Sequence, residues 1–169
     1  MVIFITGSTH TGKTALAQKL LEKYHIPYLS EDHLKMGLIR SGNTSLTPED
    51  DALLTDYLWP IVKEMAKTAI ENEQDLIIEG CYIPLDYKKD LSSDYLENIK
   101  FICLVMSEDY IEHNFDDIKR FSCVVEKRLY DDFDKQTLIK DNLYFKENCE
   151  KNGVSYIMIN ESYDFDVIL

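Results

Sequence analysis

The sequence predicts an α/β domain in which a parallel sheet is covered by helices on both faces. Three observations predict it. Short, near-continuous apolar runs alternate with longer segments of helical period, the pattern of strands buried on both sides. The first run passes straight into a glycine-rich loop and then an amphipathic stretch. A later run ends in a carboxylate and a glycine, Glu79-Gly80, as chain turning over the end of a buried strand does.

The apolar runs are VIFI (2–5), IPYL (26–29), LII (76–78), FICLVM (101–106) and YIMI (156–159). Between the first two, Leu16, Ala17, Leu20, Leu21 and Tyr24 mark one helical stripe. After the second run, Leu34, Met36, Leu38 and Ile39 fall in a short helix. From Thr47 to about Glu71, Leu54, Leu58, Ile61, Met65 and Ala69 recur at steps of three or four. Thr47 is the expected N-cap of that helix, with Pro48 in its first turn and acidic residues at its positive end. The last helix is expected from about Asp134 to Asn152, with Gly153 as its left-handed cap. Residues 30–46 and about 107–135 are polar, less regular segments, read as appendages on a single domain spanning 1–169.

Composition narrows the partners. The formal net charge is −13 over 169 residues, which repels both a phosphate backbone and anionic lipid. No nucleic-acid or membrane partner is therefore expected. No apolar run reaches the roughly 18 residues of a membrane span, and MVIFITGS lacks the basic leader of a signal peptide. The cytoplasm is the expected compartment. Cys81, Cys103, Cys123 and Cys149 form no CxxC pair, which suits reduced thiols packed as small hydrophobes rather than zinc ligands or disulfides.

Gly7-Ser8-Thr9-His10-Thr11-Gly12-Lys13-Thr14 matches the phosphate-loop pattern GxxxxGK[ST] at every fixed position. It also lies between a strand and a helix, as the pattern requires. Gly7 and Gly12 allow backbone angles and close approach that a Cβ forbids. Inward N–H groups and the helix N-terminus make a nest for phosphate. Lys13 brings an ammonium to the β- and γ-phosphates of ATP, and Thr14 a hydroxyl to Mg²⁺. His10 and Thr11 belong to the loop without assigned chemistry.

Glu79, at the end of its buried strand, is expected to serve the metal or the substrate. Asp32 follows the second strand, placed to orient or deprotonate an acceptor hydroxyl; Ser30, Glu31 and Asp32 equally suit a helix first turn. Arg40 ends the same helix and is a candidate grip for an acceptor's anionic group. The chain has only three arginines. The other two, Arg120 and Arg128, fall in the second polar segment, where a cation closing over a transferring phosphoryl group is the functional reading and a solvated face the bland one.

With GSTHTGKT, YLSEDHLKMGLIRSG, DLIIEGCYIP and a basic segment before a final strand, the chain resembles the P-loop small-molecule kinases related to adenylate, shikimate and gluconate kinases. Its IIEG-x-x-x-P stretch and LSEDHLKMGLIRS segment are similar to those of 2-phosphoglycerate kinase-like and zeta-toxin-like ATP-binding proteins. The resemblance implies the P-loop NTPase fold, a five-stranded parallel sheet in order 2-3-1-4-5. It also implies an acceptor-binding segment at about 30–74, a lid at about 107–135, and adenine contacts near Asn160 and Tyr163. Transfer of the γ-phosphate of ATP to a small-molecule acceptor, a metabolite hydroxyl or phosphate, is the activity it implies, with an adenylate kinase-like nucleoside monophosphate kinase as an alternative. Glu79 stands where many relatives carry aspartate, and no adenylate-kinase acceptor arginine is matched beyond Arg40, which disfavours a nucleoside monophosphate acceptor. A GTPase switch is disfavoured by the lack of NKxD, and a polynucleotide kinase by charge. A non-catalytic ATP-binding module stays open as the alternative of another class.

Overall fold

The computed structural model describes residues 1–122, 133–163 and 167. Five strands form one sheet in the order β2-β3-β1-β4-β5: β1 (Val2–Gly7), β2 (Tyr28–Ser30), β3 (Leu76–Glu79), β4 (Ile99–Met106) and β5 (Tyr156–Ile159). Every pairing is parallel. The helices are α1 (Lys13–Tyr24), α2 (Glu31–Arg40), α3 (Asp51–Glu71), the single turn α4 (Ser93–Leu96), α5 (Glu108–Phe121) and α6 (Lys135–Asn152). This is the P-loop NTPase architecture, in the strand order expected.

Alternation along β1 builds two cores. Ile3 and Ile5 face one side of the sheet with Leu16, Ala17 and Leu20 of α1 and Leu138 of α6. Val2 and Phe4 face the other, against Trp59, Val62 and Ala66 of α3. The Phe4 and Trp59 rings meet edge to face at 5.9 Å, a geometry that suits their quadrupoles. A central strand sealed on both sides needs no polar face, so its sequence is an unbroken apolar run.

Three boundaries differ from the sequence expectation, each for a local reason. The second strand starts at Tyr28 rather than Ile26, because Pro27 has no N–H for the ladder; its carbonyl accepts from Ile77 N–H at 2.9 Å. Ile26 is buried in the core instead. The N-cap of α3 is Asp50, not Thr47. Thr47 donates its N–H and hydroxyl to Asp50 Oδ2 at 2.8 and 2.9 Å, closing a turn ahead of the helix. Thirdly, α5 occupies the first half of the polar segment 107–135 as an amphipathic helix interrupted at Asn114. At the chain's far end, α6 is capped as its sequence predicts: Asp134 accepts from Thr137 N–H at 2.9 Å, and Gly153 adopts φ 60°.

The parallel register brings the carboxyl ends of β1, β2 and β3 together. Ser30 pairs with Glu79, and Glu79 with Ile5. Residues leaving those strand ends therefore converge on one edge of the sheet, where open α/β sheets bind ligands. No helix among the described residues is long and apolar enough to cross a membrane.

Candidate active site

The loop between β1 and α1 is shaped by its glycines. Gly12 has φ 78°, and a Cβ there would run into the Tyr163 hydroxyl. Gly7, at φ 139°, lies against the Leu104 carbonyl, where no Cβ fits. His10 also takes a positive φ, 61°, and its ring stacks on Phe133 at 3.8 Å. Within the loop, Thr11 Oγ1 donates to the Ser8 carbonyl at 2.8 Å. Lys13 Nζ reaches back to the same carbonyl at 2.7 Å, and Lys13 is only 7% exposed. The lysine ammonium is thus held over the loop whose N–H groups make the nest.

A cleft of about 390 Å³ opens beside this loop. Gly12, Lys13 and Thr14 form its floor, and Asp32, Glu79 and Cys81 its wall at the strand ends. Opposite stand Tyr110, Asn114, Asp117 and Phe121 of α5, with Tyr163 after β5. At Asn114 the helix departs from α geometry (φ −117°, ψ 16°), and its side-chain amide donates to the Tyr110 carbonyl at 2.9 Å. Tyr163 donates its hydroxyl to the Thr11 carbonyl at 2.8 Å, tying the segment after β5 to the phosphate loop. Burial raises the Tyr163 hydroxyl well above its usual range, so it stays a donor.

Thr14 Oγ1 donates to Glu79 Oε1 at 3.2 Å. These two oxygens suit the outer coordination of a small hard cation, which takes one or two protein ligands and fills the rest with phosphate oxygens and water. Ser8 Oγ, buried in the loop, has no hydrogen-bond partner among the described residues. A phosphate-binding nest offers such a donor its acceptor, so loop and oxygen pair together fit Mg-ATP.

Behind Asp32 runs a polar relay that sequence reading missed. Asp32 Oδ1 and Lys35 Nζ form an ion pair at 2.6 Å. Lys35 Nζ donates to the Tyr82 hydroxyl at 3.0 Å and sits 5.0 Å from the centre of that ring. Tyr82 in turn donates to Asp51 Oδ1 at 2.9 Å, reaching the first turn of α3. The i, i+3 step from Asp32 to Lys35 is the only sequence sign of this chain of contacts.

Glu31 differs most from its sequence reading. Rather than decorating a helix start, it is fully buried. Its Oε2 accepts the Tyr82 backbone N–H at 2.9 Å, and Oε1 has no hydrogen-bond partner among the described residues. Burial is the main cause that pushes its carboxyl up to about 8; Glu79 and Asp32 add to the rise, and the Tyr82 N–H opposes it. Gly80 makes room for this side chain: a Cβ there would meet Glu31's carboxyl.

Of the residues singled out in the sequence, the structure brings His10, Gly12, Lys13, Thr14, Asp32 and Glu79 to one cleft. Arg40 is exposed at the end of α2 and lies outside the cleft lining. Arg120 is exposed near the end of α5, its guanidinium over the Phe121 ring at 5.4 Å. Arg128 lies outside the described residues. Cys81 lines the cleft, while Cys103 and Cys149 are buried as expected and carry free thiols.

The strand order and the loop between β1 and α1 define a P-loop NTPase fold with its phosphate loop facing an open cleft. Solved structures share the fold. A shikimate kinase from Acinetobacter baumannii in complex with shikimate aligns at TM-score 0.56 and 14% identity, over 96% of this chain and 84% of that one. Deoxyadenosine kinase from M. mycoides aligns at TM-score 0.55 and 15% identity, over 98% and 92%. Shikimate kinase from Bacteroides thetaiotaomicron aligns at TM-score 0.52 and 17% identity, over 95% and 85%. No family model and no curated protein matches the sequence.

Proposed function

We propose that this chain is an ATP-dependent phosphotransferase that moves the γ-phosphate to a small-molecule acceptor. The observation that carries the proposal is one cleft in which Lys13, the Thr14–Glu79 pair and Asp32 stand together. Kinases of small molecules among the structural neighbours support it. The finer kinship with 2-phosphoglycerate kinase-like and zeta-toxin-like proteins rests on the IIEG and LSEDHLKMGLIRS motifs.

In this reading Gly7 to Thr14 cradle the phosphates through backbone N–H groups, and Lys13 neutralises charge on the β- and γ-oxygens. Thr14 and Glu79 hold Mg²⁺, whose charge stabilises the phosphate oxygens when bound. Asp32 accepts the acceptor's hydroxyl hydrogen, orienting the oxygen and taking its proton as transfer proceeds. Lys35 and Tyr82 hold Asp32 in place. Segment 30–74 supplies the acceptor side and segment 107–135 the lid, from which Arg120 and Arg128 are the candidates to meet the transferring phosphoryl group. The reading implies a cytoplasmic enzyme whose partner is a metabolite.

The test is ADP release from Mg-ATP in the presence of nucleosides, nucleoside monophosphates, sugars, hydroxy acids and phosphoglycerates. Acceptor-dependent release that disappears in a folded Lys13→Ala variant is the expected result. Tight Mg-ATP binding with no acceptor effect would instead make the chain a nucleotide-binding module.

A further inference from the structure

We infer that the acceptor is an uncharged or cationic hydroxyl compound, not a phosphate or a carboxylate. The inference rests on the kinase reading above and names the substrate class of the same cleft. Among the described residues, the cleft is lined by three carboxylates, Asp32, Glu79 and Asp117, against one ammonium, Lys13. Lys13 at the phosphate loop and Glu79 beside Thr14 serve Mg-ATP in that reading, which leaves Asp32 and Asp117 to face the acceptor.

Lys35 is the next cation toward the acceptor side, and it is already engaged. It pairs with Asp32 at 2.6 Å, donates to Tyr82 at 3.0 Å, and its side chain is only 12% exposed. Drawing it toward an acceptor's anion would break the contacts that hold Asp32. Arg40 is exposed and stands outside the cleft lining. Asp51 adds a further carboxylate immediately behind the wall. An anion entering beside Asp32 therefore meets like charge at short range, where partial burial weakens solvent screening.

A hydroxyl meets the opposite situation. Its O–H donates to Asp32, and an amino substituent is attracted by Asp32 and Asp117. In the transfer, the acceptor oxygen forms the new bond to the γ-phosphorus as its proton passes to Asp32. The bond from that phosphorus to the β,γ-bridging oxygen breaks, and the electron pair leaves on ADP. The product gains a phosphate of about −1.5 to −2 charge. The carboxylates that admit a neutral acceptor then repel its product, which favours release.

The experiment compares kcat/KM with Mg-ATP for acceptors matched except for charge. Suitable sets are glycerol and glycerate; glucose, glucosamine and gluconate; shikimate methyl ester and shikimate; deoxyadenosine and its 5′-monophosphate. The neutral or amino member of each reactive set is expected to exceed the anionic one by at least about tenfold. Preference for the anionic members would overturn the inference while leaving the kinase reading in place. Absence of phosphorylation throughout, with Mg-ATP still bound, would overturn the kinase reading and this inference with it.

Discussion

Asp32 and Lys35 stand one helical turn apart on α2 and pair at 2.6 Å, and Lys35 passes the contact on to the Tyr82 hydroxyl at 3.0 Å. The carboxylate proposed to meet the acceptor is thereby anchored to the loop after β3 and, through Asp51, to the start of α3. Three elements of the fold set the position of one side chain. Groups held this way act in catalysis by orientation, where small displacements are costly.

Lys35→Met removes the anchor while keeping the length of the stem. Turnover with a responsive acceptor should fall by about tenfold or more, a barrier change of about 1.4 kcal/mol, while the KM for Mg-ATP stays within about twofold. Lys35→Arg, which keeps the charge, should recover part of the loss. Steady-state kinetics of both variants checks this, and an unchanged kcat in Lys35→Met would show that Asp32 does not depend on the pair.

Glu31 makes a signed prediction about pH. Its carboxyl has a folded value of about 8 against 4.5 ordinarily, so between those limits the folded protein holds a proton that the unfolded chain has released. The stability it contributes is fully present below about 4.5 and is lost as pH rises through about 8. The slope is at most about 1.4 kcal/mol per pH unit. Glu31→Gln keeps an oxygen for the Tyr82 N–H and lacks this loss. Its melting temperature relative to wild type should therefore rise from about pH 5 to about pH 8 in nucleotide- and metal-free buffer. A difference that stays flat with pH contradicts the buried, protonated carboxyl.

Gly80→Ala places a methyl group against the Glu31 carboxyl and within 2.6 Å of its Cβ. Glu31 and Gly80 directly follow Ser30 and Glu79, the paired ends of β2 and β3, which leaves their backbones little room to yield. A stability loss of about 1–3 kcal/mol is expected, read as a lower urea midpoint at unchanged slope. Wild-type stability in this variant would mean that the Glu31 side chain has another place to go.

Much of this arrangement is legible in the sequence because it depends on periodicity and local geometry. The apolar runs locate all five strands to within a few residues, and GSTHTGKT places the phosphate loop between β1 and α1. The acceptor side is harder to read, because there the answer turns on which way single side chains point. Glu31 and Asp32 are adjacent acids at a strand–helix junction; one is fully buried and the other lines the cleft. Only the direction in which the chain leaves β2 decides which is which. Arg40 and Lys35 show the same limit. Arg40 is the scarcer residue type and the better anion fork, yet it lies eight residues along the helix from Asp32, a rise of about 12 Å. Lys35 reaches Asp32 within one turn. Cys81 and Tyr82 enter the site through the path of the chain after Gly80, which no periodicity records.

The claim on which everything else depends is that the loop from Gly7 to Thr14 holds the phosphates of Mg-ATP through Lys13. Titration calorimetry of wild type and Lys13→Ala with Mg-ATP, run beside their thermal melts, tests it most directly. Wild type should bind Mg-ATP saturably. Affinity should be lower by at least about tenfold in the variant, as losing a charge-assisted contact of about 1.5–3 kcal/mol requires, with the melting temperature little changed. Equal affinity for Mg-ATP in the two proteins would contradict it.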